Sequence, residues 1–179
     1  MTTARTLPTL PSWAAGTEIT GAALAQMVTY QAFWANPPSF RIEQHSAQNI
    51  PTGTATQVTC ETLIHDSDGG VAAGTPFSYT VPFSGVWDFD GAASVAVNAT
   101  GWRAPAIYTN GAPFNGAQPI FAPPTATFQG LAVAKGVVCV AGDVIALYMQ
   151  QSSGSTLATS TTAQQYSWLA GTMRSFGSP

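Results

Sequence analysis

The sequence predicts an all-β fold, a sandwich or jelly roll, entered through an extended N-terminal arm and one short helix. Three observations carry that prediction. Over residues 77–89 the large side chains Phe77, Tyr79 and Val81 stand two apart, break at Pro82 and Gly85, and resume with Trp87 and Phe89 two apart. Side chains two apart share one face of a pleated strand, so this stretch reads as strand, tight break and strand, with its aromatics as the floor of a core. From residue 39 onward the chain is a run of short alternating segments split by Gly, Pro, Asn and Asp, which is turn chemistry. Beyond residue 40 no helical period recurs.

Composition bounds what this fold can do. The chain has 179 residues, 45% of them hydrophobic, enough to bury one core. Only 7% are charged, against roughly a quarter in ordinary soluble domains, so solubility rests on Thr, Ser, Gln and Asn or on burial in an assembly. A net charge of −3, one lysine (Lys135) and four scattered arginines argue against nucleic acid, which needs clustered cations. The first residues carry no apolar run behind Arg5, so no secretory signal is expected, and the most apolar later window, residues 130–149, alternates like strands and predicts no membrane span. Cys60 and Cys139 form no CxxC and sit in strand-like stretches; buried free thiols are the expectation, with a disulfide between them the other reading.

Two parts are expected: an arm and anchoring helix over residues 1–38, and a β domain over 39–179. Leu7-Pro8-Thr9-Leu10-Pro11-Ser12-Trp13 favours an extended strap. Thr20 is a suitable N-cap, and Leu24, Met27, Val28, Gln31 and Trp34 recur at helical spacing beside a second row of Ala23, Tyr30 and Phe33. Pro37-Pro38 after Asn36 stops the helix. At roughly 15 residues and 22 Å such a helix is marginal alone. Nearly encircled by apolar residues, it is expected to be buried on most sides, either on its own sheet or as an anchor against other subunits, with Trp13, Leu24, Met27, Val28, Tyr30, Phe33 and Trp34 as the anchoring residues. Strands are predicted at 39–45, 55–60, 77–81, 85–96, 102–109, 127–133, 143–150 and 165–174. Residues 136–140 read as a turn or short strand, and the Ser/Thr-rich 152–162 as a solvated loop.

Phe77-x-Tyr79-x-Val81-Pro82-x-x-Gly85-x-Trp87-x-Phe89 resembles the signature of the tumour necrosis factor and complement globular-head jelly-roll superfamily. Ile107-Tyr108-Thr109-Asn110-Gly111, Val140-Ala141-Gly142-Asp143-Val144-Ile145 and Ser167-Trp168-Leu169-Ala170-Gly171 resemble its later strand, Gly-Asp turn and closing strand, in family order. The resemblance spans about residues 40–176 and implies a homotrimer, with Phe77, Tyr79, Trp87, Phe89, Tyr108, Tyr148 and Trp168 in the core or the subunit interface. The front of the chain carries a second resemblance. Leu10-Pro11-Ser12-Trp13-Ala14-Ala15-Gly16-Thr17-Glu18-Ile19-Thr20, followed by a helix ending Trp34-Ala35-Asn36-Pro37-Pro38, is similar to the N-terminal module of structural proteins of tailed bacteriophages infecting actinobacteria.

Catalytic patterns are missing from the sequence: there is no Gly-x-Ser-x-Gly, HExxH, P-loop or Gly-x-Gly-x-x-Gly. His45 and His65 offer two imidazoles without a partner set, and neither catalytic, cofactor-binding nor metal residues are expected. Asp66-Ser67-Asp68-Gly69-Gly70 has the look of a calcium loop but lacks the later acidic ligand and is ordinary turn chemistry. Asp88 and Asp90 belong on the strand face opposite Trp87 and Phe89. Trp87, Trp102, Tyr108, Phe114, Phe121, Phe128 and Trp168 could form a sugar platform, but alternation turns most of them inward. Together these readings imply a non-enzymatic virion protein made in the host cytoplasm, a trimeric capsid decoration bound to the major capsid protein. The alternative is a minor tail protein or tail knob that meets host cell-wall glycan through residues 111–124 and 152–162.

Overall fold

A computed structural model of the chain describes residues 5–72, 74, 76–123 and 128–176. Among these residues are one α-helix, α1 (Gly21–Ala35), a short 3-10 helix (Ala163–Gln165) and twelve strands: β1 (Ser39–Gln44), β2 (Asn49–Ile50), β3 (Thr56–Gln57), β4 (Thr62–Asp66), β5 (Tyr79–Thr80), β6 (Gly85–Val95), β7 (Arg103–Thr109), β8 (Ala112–Pro113), β9 (Phe128–Cys139), β10 (Val144–Gln151), β11 (Leu157–Ala158) and β12 (Ser167–Phe176). Five strands make one sheet in the order β4-β1-β12-β6-β9, and the facing sheet runs β3-β10-β7-β8, with β5 also paired to β10. Every pairing is antiparallel. β2 and β11 form a separate two-stranded pair, and apart from the β7–β8 hairpin no two strands consecutive in the chain are paired, as in a β-sandwich of jelly-roll type.

The alternation read from the sequence fills the space between the sheets. Phe40 and Ile42 of β1, Trp87 and Phe89 of β6 and Leu169 and Met173 of β12 are buried, and they face Ile107 of β7 with Ile145, Leu147 and Met149 of β10. Tyr79 stacks on Phe40 with ring centroids 3.7 Å apart. The Trp87 indole, fully buried, donates Nε1–H to the Phe83 carbonyl at 3.2 Å, the partner a buried indole requires. The tight connection at Asn110-Gly111 (φ 52° and 80°) joins β7 to β8 through two left-handed residues, which an Asn-Gly pair accepts at low cost.

Two expectations are corrected. Residues 136–140 are expected as a turn or a short strand; 136–139 are strand, but not a separate one: β9 runs unbroken through Gly136 to Cys139, because a register shift against β6 between Trp87 and Phe89 absorbs the extra residue, and the Gly136 N–H donates to Asp88 at 2.8 Å. Residues 152–162 are not wholly loop, since Leu157 and Ala158 pair with Ile50 and Asn49. β2, β4, β8 and β11 were not foreseen as strands; three of them are two residues long, too short for any period to register.

Candidate functional site: an exposed arm and helix

The arm and α1 form an extended-segment–helix hairpin at one end of the sandwich. The arm turns back at residues 14–17, where Thr17 N–H donates to the Ala14 carbonyl at 3.0 Å and Gly16 takes φ 85°. The Thr20 hydroxyl then accepts the Ala23 N–H at 3.2 Å, the N-cap bond that starts the helix. Arg5 lies over Phe33 near the helix C-terminus, and Thr9 shares a cleft with Ala25, so arm and helix run antiparallel.

One end of the hairpin is fixed to the sandwich by aromatics. Phe33 is buried, with its ring 5.9 Å from Phe83 and 5.1 Å from Phe176, while Trp34 and Tyr30 close on Phe176 at 4.6 and 6.1 Å. A charged clamp adds to this. Arg5 donates to Asp68 from its backbone N–H (3.1 Å), Nε (2.9 Å) and Nη2 (2.7 Å), and to the Asn36 carbonyl from Nη1 (2.7 Å). Burial pulls the Asp68 pKa up, but the hydrogen bonds from Arg5 and Ser67 outweigh it and hold the carboxyl below the usual carboxylate range. The clamp therefore joins arm, helix end and the β4–β5 turn in one place.

The rest of the hairpin has no cover. Leu10, Trp13 and Ile19 around its tip and Leu24, Met27 and Val28 along its stem are exposed, Ile19 and Val28 by 63 and 64%. A helix buried on most sides was expected; in the single chain only Phe33 of α1 is buried. The seven anchoring residues thus divide. Tyr30, Phe33 and Trp34 hold the hairpin to its own sandwich, which corrects their assignment to an external contact, and Trp13, Leu24, Met27 and Val28 are left free to make one.

The remaining sequence-predicted residues are spread over the sandwich. Tyr79, Trp87 and Phe89 are core, and Phe77 packs at its margin. Tyr108 and Tyr148 are half-buried on the outer face of the β7–β10 pair, stacked at 3.8 Å and 17°. Trp168 lies on the outer face of the five-stranded sheet, with the Arg41 guanidinium 4.4 Å from its ring centroid. On the same sheet the edge strand β9 turns Leu131 and Val133 to solvent. Of the suggested sugar platform, Trp87 and Phe128 are buried, Phe121 packs edge-on against Phe128 with centroids 5.2 Å apart, and Trp102, Tyr108, Phe114 and Trp168 are half-buried.

The polar candidates have structural work. His45 stacks on Tyr166 at 4.0 Å and meets Glu43 at 3.0 Å; His65, on the edge strand β4, meets the Ser39 hydroxyl at 3.0 Å. Asp66 accepts the N–H groups of Asp68, Gly70 and Val71, so its oxygens hold the turn. Asp88 and Asp90 lie opposite the core aromatics as expected, paired with Arg174 and Lys135. Cys60 and Cys139 are free and buried, and burial pushes both thiols up to about 12. Among the described residues no helix is long and apolar enough to cross a membrane. Sequence reasoning missed the Arg5–Asp68 clamp and the docking partners Phe83 and Phe176. The one available signal was Arg5 itself, a lone charge in an otherwise uncharged strap.

No protein-family model matches the chain, and no curated protein matches it. Solved structures do. The Eiger tumour necrosis factor of S. frugiperda aligns with 79% of this chain and 96% of its own at 8% identity, with a TM-score of 0.52. Murine APRIL at pH 5.0 aligns with 77% of this chain and 100% of its own at 10% identity, with a TM-score of 0.54. The PRD1 vertex protein P5 is more distant in shape, at 12% identity and a TM-score of 0.45 over 78% of this chain and 98% of its own, too low to bear on role. Identities this small speak to architecture alone, and the architecture is that of a tumour-necrosis-factor-like jelly roll.

Proposed function

We propose that this chain is a non-enzymatic structural protein of a tailed-phage virion, a homotrimeric capsid decoration whose jelly-roll knob is attached to the major capsid protein by the tip of its N-terminal hairpin. The observation that carries the reading is the hairpin itself. Leu10, Trp13 and Ile19, on either side of the turn at residues 14–17, are exposed beside a single charge, Glu18, on a support that an ion pair and five aromatic rings hold to the knob. Burying three such side chains is worth about 1 kcal/mol or more each, and a rigid support spares the ordering entropy that a floppy tail would lose on binding. The resemblance of residues 10–38 to the phage module supports the virion setting. The resemblance of residues 77–89 to the jelly-roll signature supports the trimer, for which β9's exposed Leu131 and Val133 beside Trp168 offer an apolar edge.

The test is localisation in intact particles by labelling and electron microscopy, combined with substitution of Trp13 and Ile19 by Ser. Density over the head that disappears in the double variant is the expected result; unchanged incorporation refutes attachment by the tip. Substitution is a cleaner probe than deleting residues 1–38, because Phe33 belongs to the core. A second reading, a tail knob that recognises cell-wall glycan, is favoured by an open cleft of about 260 Å³ lined by Ala96, Ala158, Thr159, Ser160, Thr161, Thr162 and Gln165. It lies by the far end of β6 from the hairpin, about 36 Å along the strand. Label confined to the tail, with binding of the purified protein to host walls, would replace the capsid reading with this one.

A further inference from the structure

The stem of the hairpin, between tip and clamp, has unfilled space on one side and an unmatched ridge on the other. Arm and helix do not close on each other completely. One cleft of about 300 Å³ lies among Arg5, Pro8, Thr29, Ala32 and Phe33, and a second of about 290 Å³ among Pro8, Thr9, Ala25, Gln26 and Thr29. They share Pro8 and Thr29, and from one to the next the helical lining moves by four residues, a single turn of about 6 Å. Around the helix from these clefts, Leu24 and Val28 project 51 and 64% exposed, also four residues apart. The chain therefore carries two apolar knobs and two holes at the same spacing, on different faces of one helix.

We infer that the stem is a self-association element, in which Leu24 and Val28 of one copy enter the two clefts of the next. Knobs and holes on different faces make a head-to-tail contact, which closes into a ring when the rotation between copies allows. The homotrimer of the proposed function, on which this inference rests, would set three stems side by side and use every knob and every hole. Charge favours the same occupant. Arg5 is committed to Asp68, Glu18 lies at the tip turn, and α1 has no charged residue on any face, so a second uncharged stem is the matching surface. Leu24, Met27 and Val28 together expose on the order of 300 Å², well under the roughly 800 Å² per partner of a standard interface. The stem contact thus adds to a contact between sandwiches and does not replace it.

Sedimentation across a micromolar concentration series tests this with the full chain. Leu24→Ala with Val28→Ala trims the knobs, and Thr29→Phe fills the space bordering both clefts; all three positions are exposed, so circular dichroism should show the fold unchanged. Each variant is expected to raise the concentration of half-dissociation at least tenfold. Independently, oxidation of a Leu24→Cys, Thr29→Cys double variant should give a covalent ladder up to three copies, since the two positions are five residues apart on one helix, about 140° round its axis, and cannot pair within a chain. Unchanged association in both variants, or no ladder, overturns the inference while leaving the capsid reading to its own localisation test. A wild-type monomer overturns it as well, as do Leu24 cross-links found in particles only to a different virion protein.

Discussion

Replacing Arg5 by Ala should cost about 2–3 kcal/mol at neutral pH, and the cost should fade in acid. The Asp68 side chain is fully hidden, and Arg5 supplies two side-chain hydrogen bonds to it beside a third to the Asn36 carbonyl. Removing one partner of a buried pair typically costs about 3–5 kcal/mol; Arg5 is 32% exposed, and solvent screening brings the figure to the lower range. The pH dependence follows from the depressed carboxyl of Asp68. A group whose folded pKa is lowered contributes stability that is complete above its unfolded value, about 3.9, and is lost as pH falls through the folded value. Once Asp68 is protonated Arg5 has no charge to hold, so wild type and variant should converge. Urea unfolding followed by tryptophan fluorescence at pH 7 and pH 3 measures both quantities. A difference under about 0.5 kcal/mol at pH 7, or one that is equal at the two pH values, refutes the clamp as described.

Other substitutions probe the packing. Phe33→Ala should destabilise the chain by about 3 kcal/mol in thermal or urea melts, because the buried ring bridges Phe83 and Phe176; a loss below about 1 kcal/mol would mean that the hairpin is not docked as seen. Gly101→Ala should lower the melting temperature by roughly 10 °C or more, since Gly101 has φ 67° and a Cβ there would run into the Ser152 carbonyl. Gly171→Ala should cost about 1–3 kcal/mol, its methyl meeting the rings of Phe40 and Phe89 at 2.6 Å. Cys60 and Cys139 should resist thiol reagents in the native protein at pH 8 and react fully in urea. Their folded pKa values are raised from 9.0 to about 12, so the unfolded state loses these protons first and stability should fall as pH rises from about 9 to 12.

The elements legible in the sequence were those whose side chains answer to their own period. β6 shows aspartates opposite aromatics, and α1 shows its cap, its apolar rows and its proline stop. β9 was expected to end at residue 133, with 136–140 a turn or short strand, because Gly136 reads as a break in the alternation; only the neighbouring strand's register could keep the ladder going. β2 and β11 exist because Ile50 meets Leu157 across more than a hundred residues of chain, and no local pattern encodes such a meeting. The anchoring residues show the same limit. Tyr30, Phe33 and Trp34 have the same helical spacing and apolar character as Leu24, Met27 and Val28, and nothing local says which of them finds Phe176.

By itself the sequence determined the class of the fold, a proline-punctuated strap and a short uncharged helix ahead of a β-sandwich, because alternation, capping and turn chemistry act between residues a few positions apart. It also showed that so little charge leaves solubility to Thr, Ser, Gln and Asn or to burial of apolar surface in an assembly. Tertiary structure decided where: it used half of the helix's large side chains to close one end of the sandwich, locked the arm through Arg5 and Asp68, and left the other half facing outward. The physical reason is that burial depends on which distant surfaces come together, and a side chain's hydrophobicity fixes the gain from being covered without fixing what covers it.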